Sequence, residues 1–435
     1  MFKKYVQRKL EKLTVKYFKK HHPKLIVVVG SVGKTTTKNA IATMLHPKFR
    51  VQAERGNLNS ELSVPLAILG IEFPPEELLR SIRVWRHIFK AMRKRIRDSQ
   101  GVDVIIQELA TDGPGQIPHY GTYLRPDMAI VTAVAPEHME HFPGGMGQVA
   151  REELSVASYS DLTIINRDDV DESFAPYAET TNITNYGLFG GEYRFETTDG
   201  TPLDGYTGKF FGPEFAEGIE TTVHLVGDHN LKAAAVAGLV GAKLGMTAEE
   251  IAEGLAEIMP TSGRMNILRG VRGSTIIDDT YNSSPNAAIE ALRTLYLVDA
   301  NQRIAILGSM NELGTFSVDA HREVGEMCDP NYLEWVITIG DDAAHYLAPA
   351  AKRKGNNVQS FPDPISAGTF ANKVLKSGGV VLAKGSQNGV YAEEAIKILL
   401  AHVEDQQHLV RQSGEWLDKK NAWLSSLENI GQDTD

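Results

Sequence analysis

The chain of 435 residues is longer than one hydrophobic core normally organises, so two or three domains are expected. Its composition, 42% hydrophobic and 23% charged with no apolar run near the roughly 18 residues of a spanning helix, excludes a disordered chain and a transmembrane protein. The net charge of −10 argues against anionic partners only until it is resolved by position: residues 1–24 carry nine Lys/Arg against Glu11 alone, and residues 80–97 carry eight and no acid, leaving −26 for the remainder.

In chain order, Phe2, Val6, Leu10, Leu13 and Tyr17 recur at helical spacing among lysines and arginines, which predicts a basic amphipathic helix in residues 1–24, stopped before Pro23. Ile82, Trp85, Phe89, Met92 and Ile96 repeat the pattern in the second basic segment. Each stripe suits packing on the body of the protein; the basic, aromatic-rich character also suits an anionic membrane surface, through residues 1–20 and 80–97. From Leu25 the pattern changes to short apolar runs (LIVVV, VDVIIQEL, PDMAIVTAV, DLTIIN) separated by helical stretches, the signature of an α/β doubly wound parallel sheet spanning residues 25–262. Residues 186–226, rich in glycine, threonine and aromatics, predict a small antiparallel insertion. A second run of strands (STIIDD, RIAILGS, WVITIG, GGVVLAKGS) predicts a C-terminal Rossmann-like α/β domain over 263–404, followed by a polar tail, 405–435, helical at first and frayed at its end. The one cysteine, Cys328, has no internal partner, and the charged N-terminus lacks the apolar core of a signal peptide; a reducing compartment, the cytoplasm, is expected.

The strongest motif is Gly30-Ser31-Val32-Gly33-Lys34-Thr35-Thr36-Thr37, placed between an apolar strand and a helix. In that setting loop and helix N–H groups wrap phosphate oxygens, the Lys34 ammonium reaches the β and γ phosphates, and the Thr35 hydroxyl ligates Mg²⁺. ATP or GTP binding follows, but motors, switches, kinases and ligases all share such a loop.

The shortened loop, with Val28 where the general motif has its first glycine, resembles that of the Mur ligase family. Further segments match in the same order: GNLNSELSVPL at 56–66, Glu108 in QELATDGPGQI, His138 in APEHMEHF, Gly227-Asp228-His229-Asn230, Ser262-Gly263-Arg264, Asp278-Asp279-Thr280-Tyr281-Asn282, LGSMNELG with His321 downstream, and Lys384-Gly385-Ser386. They are most similar to the branch of the family that adds D-alanyl-D-alanine to a UDP-linked muramoyl tripeptide in peptidoglycan synthesis. The resemblance implies an ATP-dependent amide ligase working through an acyl phosphate. It implies Thr35, Glu108 and His138 as metal ligands, and His229, Asn230, Arg264, Asp279, Tyr281 and Asn282 as nucleotide contacts. Lys34, Glu108, His138, Arg264 and Lys384 form the implied catalytic set. The chemistry agrees: a carboxylate is inert to amines until phosphorylation supplies a leaving group, and phosphoryl transfer needs cations and alignment above all.

Three departures qualify the resemblance. The family's carbamylated lysine falls in Val149-Ala150-Arg151-Glu152-Glu153-Leu154, where Arg151 is the aligned residue, and no lysine occurs between Lys94 and Lys209. An arginine cannot carry a carbamate, so Glu152 or Glu153 replaces it, Arg151 itself contacts phosphate, or catalysis is impaired. Only 24 residues precede Leu25, where the family's UDP-holding domain is expected, and Ala233 replaces a usual asparagine. Two further readings therefore stand beside the leading one: a Mur-type ligase for a non-UDP, lipid-linked or poly-amino-acid substrate, and a nucleotide-gated binding protein without turnover. No nucleic-acid partner is expected, because no recognition motif accompanies the basic helices.

Overall fold

The computed structural model describes residues 2–54, 58–98, 101–136 and 139–432. Contacts divide the chain into two compact units: Met1–Asp199, Tyr206–His224 and Asn230–Met259 form the first, and Gly200–Gly205, Leu225–His229 and Pro260–Asp435 the second.

The first unit is built on strands β1 (Lys24–Val29), β2 (Val51–Ala53), β3 (Val104–Glu108), β4 (Met128–Val131), β5 (Leu162–Asn166), β6 (Ile183–Gly187), β7 (Tyr193–Thr201), β8 (Gly205–Gly212) and β9 (Phe215–Val223), in the order β2-β3-β1-β4-β5-β6-β7-β8-β9. From β2 to β6 the pairing is parallel, and β8 with β9 is antiparallel. The run of valines in β1 is buried on both faces, as a central parallel strand requires. Strands β6 to β9 extend this sheet instead of forming one of their own. Because β1 lies between β3 and β4, the chain reverses its direction of progress there, and the crevice at the strand's carboxyl end is where open α/β sheets bind ligands.

Helices α1 (Phe2–His21), α2 (Lys34–Leu45), α3 (Val64–Ile68), α4 (Ile82–Arg97), α5 (Gln116–Tyr120), α6 (Met146–Leu154), α7 (Leu231–Lys243) and α8 (Ala248–Ala256) cover the sheet. α7 is apolar nearly all round, and its small residues let neighbours approach: a Cβ on Gly238 would lie 2.7 Å from the Phe210 ring, and one on Gly241 2.9 Å from Met44 of α2. The helix that starts at the phosphate loop is thereby backed by a tightly packed partner. Of the apolar stripes, Val6, Leu10, Leu13 and Tyr17 on α1 and Trp85, Phe89 and Met92 on α4, with Ile88, belong to one buried core cluster and pack inward, whereas Phe2 and Ile82 at the starts of the two helices are exposed. The two helices run side by side in the same direction, since the Lys9 ammonium lies 4.2 Å from the Phe89 ring while His21 meets the Ile96 carbonyl.

In the second unit, β10 (Asn266–Arg269), β11 (Thr275–Asp279), β12 (Arg303–Gly308), β13 (Trp335–Ile339), β14 (Val358–Phe361) and β15 (Val380–Lys384) form a sheet of order β10-β11-β15-β12-β13-β14. All pairs are parallel except β10 with β11. Helices α9 (Pro285–Leu297), α10 (Ser317–Met327), α11 (Ala348–Arg353), α12 (Pro364–Val374) and α13 (Glu393–Leu399) flank it, and a separate apolar cluster fills each face. Cys328 is buried in one of them, and desolvation pushes its thiol up to about 12. The last helix, α14 (Gly414–Gln432), is anchored by Lys420, whose ammonium is buried against Glu393 and Glu394. No helix among the described residues is long and apolar enough to cross a membrane.

Candidate active site

The phosphate loop is held by its neighbours more than by itself. Gly30, at φ 123°, lies so close to β4's end that a Cβ would sit 2.4 Å from Thr132 Oγ1 and 2.8 Å from the Ala133 nitrogen. Only glycine fits there. Ser31 donates its N–H to the Ala133 carbonyl and accepts the N–H of Ala135 at Oγ, while Thr132 Oγ1 donates to the Val32 carbonyl at 2.6 Å. Gly33, in the left-handed region at φ 85°, starts α2 without a side-chain cap, the arrangement in which helix N–H groups receive an anion. The Lys34 ammonium folds over the loop onto the carbonyls of Gly30 and Ser31, and Thr36 is half-buried on the first turn.

Thr35 Oγ1 donates to Glu108 Oε2 at 3.0 Å, so the two expected metal ligands within the described residues meet. Glu108 is buried at the carboxyl end of β3, and Asn59 Nδ2 donates to its other oxygen at 3.1 Å. Asn59 in turn offers its carbonyl to the Tyr120 hydroxyl and the Ala110 N–H, which ties the described part of the 56–66 segment to the strand end. Beneath Glu108 lies a pair that the motifs did not reveal: Lys38, one turn after Lys34, donates to Glu54 at 2.5 Å and lies 3.9 Å from Glu108. Burial pushes the Glu54 carboxyl up, opposed by Lys38. Gln107 Nε2 donates to Glu54 and to the Leu58 and Glu108 carbonyls.

Helix α6 bears on the question raised by Arg151. Its guanidinium is exposed and sits over the Tyr177 ring at 4.9 Å, away from the loop. The residues that turn inward are the two glutamates. Glu152 accepts the N–H groups of Gly115 and Ile117 at 2.7 Å each, and Glu153 Oε2 accepts the Gly30 N–H at 2.9 Å. Of the three alternatives, direct phosphate contact by Arg151 is the one this geometry disfavours. His138 lies outside the described residues.

In the second unit the register of β11 against β15 sets Asp279 beside Lys384 at the carboxyl ends of both strands. Lys384 is buried, with its ammonium 2.6 Å from Asp279 Oδ2 and 3.1 Å from the Asn282 carbonyl. Asp278 accepts the N–H of Gly263 and both donors of Thr280, which fixes the linker, residues 260–264 ahead of β10, against this loop. The Arg264 guanidinium lies 4.2 Å from the Tyr281 ring. Thus Arg264, Asp279, Tyr281, Asn282 and Lys384 form one cluster. His229 and Asn230 end a turn before α7, and the boundary between the units falls between them. His321, fully buried, accepts the Met310 N–H at Nε2 and donates from Nδ1 to the Ser317 carbonyl, a neutral form that desolvation favours. It shapes the 309–311 loop from within.

Two constellations follow: a phosphate loop with a carboxylate–hydroxyl pair, and a cationic, aromatic strand-end cluster. The family model of the Mur ligase middle domain matches residues 28–241, and that of the Mur ligase, glutamate ligase domain matches residues 263–387. The chain belongs to the Mur ligase family and is an ATP-dependent amide ligase. It is 26% identical over 401 residues to the UDP-N-acetylmuramoyl-tripeptide--D-alanyl-D-alanine ligase of Bacillus subtilis (strain 168), covering 90% of this chain and 79% of the relative. Its fold is similar to MurF from Acinetobacter baumannii (TM-score 0.73, 21% identity, 89% of this chain and 79% of that one). It is also similar to MurF ligase from Thermotoga maritima in complex with ADP (TM-score 0.71, 23% identity, 92% and 84%).

Proposed function

We propose that this ligase joins the amine of D-alanyl-D-alanine to the free carboxylate of a muramoyl tripeptide, as a cytoplasmic step of peptidoglycan precursor synthesis. The observation that carries the reading is the match to UDP-N-acetylmuramoyl-tripeptide--D-alanyl-D-alanine ligases along nine-tenths of the chain, supported by the Thr35–Glu108 contact at the phosphate loop and the Lys384–Asp279 pair. A carboxylate oxygen takes the γ-phosphoryl group of ATP and ADP leaves. The amine then attacks the acyl carbon, phosphate departs, and the amine loses a proton.

In this mechanism Lys34 and the N-terminus of α2 neutralise the phosphates, and Arg264, Tyr281 and Asn282 meet the nucleotide. Mg²⁺ suits the hard oxygen donors of Thr35 and Glu108, with His138 the third expected ligand; when bound it supplies charge neutralisation. Glu153, aimed at the Gly30 N–H, supplies the anionic group that a carbamylated lysine would otherwise bring. Lys384 orders the Asp279–Asn282 loop. The deciding experiment is mass spectrometry of products from ATP, Mg²⁺, D-alanyl-D-alanine and a panel of UDP-linked and lipid-linked muramoyl peptides. One ADP and one phosphate per amide bond are expected. ATP consumption that ignores both substrates, or none at all, would overturn the ligase assignment in favour of a nucleotide-gated binder.

The partner reading for residues 1–20 and 80–97 is an anionic membrane surface met by charge. Lys4, Arg8, Lys12 and Lys16 on α1 and Arg83, Arg86, Lys90 and Arg93 on α4 are exposed, and the apolar stripes are used in the core. Co-sedimentation with anionic vesicles should be strong at low salt and lost at high salt. No binding at low salt refutes it.

A further inference from the structure

Arg411 lies outside every motif recognised in the sequence, and its guanidinium is engaged by both Glu393 oxygens and two backbone carbonyls. Its side chain is 5% exposed, and Glu393, its partner, is fully buried. Nε and Nη2 donate to the two Glu393 oxygens at 2.8 and 2.6 Å, the bidentate geometry that fixes a guanidinium plane. Of the three remaining N–H groups, two go to the loop. Nη1 donates to the Tyr281 carbonyl at 2.9 Å and Nη2 to the Thr280 carbonyl at 2.6 Å. Together with Lys384 on the Asn282 carbonyl, two buried cations hold three consecutive carbonyls of the loop that carries Asp279, Tyr281 and Asn282.

The backbone around Arg411 is shaped for this contact. Arg411 has φ 56°, a left-handed conformation that a non-glycine residue adopts only when its surroundings impose it. Its neighbour Val410 packs so closely on the linker that a Cβ on Gly263 would come within 2.7 Å of Val410 Cγ1. The Gly263 carbonyl accepts the Tyr281 N–H, so the same few residues join the tail, the linker and the loop. Lys420 shares Glu393 with Arg411 and reaches Glu394, and it touches none of the loop carbonyls.

We infer that Arg411 is a positioning residue for nucleotide use: held by Glu393, it fixes the Thr280–Tyr281 backbone so that the side chains of this loop and the Arg264 stacked on Tyr281 face the nucleotide in one geometry. The inference rests on the proposed reading that Asp279–Asn282 contacts ATP. Arg411→Lys keeps the charge and loses the fork, and Lys420→Met removes the neighbouring cation and leaves the fork. Ligation kinetics with saturating substrates should show KM for ATP raised about tenfold or more in Arg411→Lys, and within about twofold of wild type in Lys420→Met, with both variants folded by thermal melt. Amide hydrogen exchange at Thr280–Asn282 should quicken in the first variant only.

Equal KM values for the two variants, or unchanged exchange in Arg411→Lys, overturns the positioning role. Tyr281→Ala and Asn282→Ala separate the two layers of the argument. If they leave KM for ATP unchanged, the nucleotide reading of the loop fails and the inference falls with it; if they raise it while Arg411→Lys does not, the inference alone fails.

Discussion

Lys38 and Glu54 face each other below the phosphate loop with Nζ and Oε1 2.5 Å apart and both side chains essentially out of reach of water. The pair sits one helical turn behind Lys34 and one strand from Glu108, so it supports the floor on which the Glu108 carboxylate rests. A buried pair of this kind gives modest net stability, but breaking it strands a charge. Lys38→Met should cost about 3–5 kcal/mol in urea unfolding, and the double variant Lys38→Met/Glu54→Leu should recover most of that. A single variant as stable as wild type would show that the pair is not held dry in solution.

Lys34→Ala removes the ammonium that lies over the loop and leaves the packing of α2 untouched. ATP consumption in the presence of both substrates should fall by a factor of about a hundred or more, with little change in melting temperature. Survival of turnover would refute the phosphate-loop assignment.

The two faces of α6 predict opposite outcomes. Glu153→Gln keeps an oxygen for the Gly30 N–H and loses the charge, so kcat should drop by about tenfold or more. Arg151→Ala removes only the contact over Tyr177 and should stay within about twofold of wild type. The reverse ranking in steady-state assays would return the functional role to the arginine.

Asp278 gives a pH signature. Burial pushes its carboxyl up from 3.8 to about 6, against hydrogen bonds from Thr280 and Gly263 that lower it, with Asp279 adding to the rise. Relative to the unfolded chain, the fold therefore favours the protonated form. Its contribution to stability is therefore full below the unfolded value and lost as pH rises through about 6. Asp278→Asn does not titrate, so the melting temperature of the variant minus that of wild type should increase from pH 4 to pH 7. A difference that is flat or declines over this range counts against the buried, protonated acid.

The sheet of the first unit and the phosphate loop were legible because their signals are contiguous: a valine-rich strand, glycines, Lys34 and three threonines lie in one stretch, and the backbone joins what the chemistry needs. Arg151 shows where this ends. Whether it or Glu153 faces the loop depends on the phase of a short helix entered through Gly145, and composition does not set that phase. Lys38–Glu54 and Arg411–Tyr281 were illegible for another reason. Each joins residues that no motif links, 16 and 130 positions apart, and only the fold brings them together. The stripe of α1 was ambiguous in principle, since Val6, Leu10, Leu13 and Tyr17 make the same pattern for a core as for a bilayer.

Cys328, buried and with its thiol pushed up to about 12, is the only cysteine of the chain, so the folded protein offers thiol reagents almost nothing to attack. A cysteine introduced at a fully accessible site, such as the 73% exposed Val403 ahead of Arg411, would become the sole point of labelling without removal of the native residue. A fluorophore there turns the segment that leads to the Arg411 anchor into an optical reporter, able to follow nucleotide binding in an otherwise unmodified enzyme.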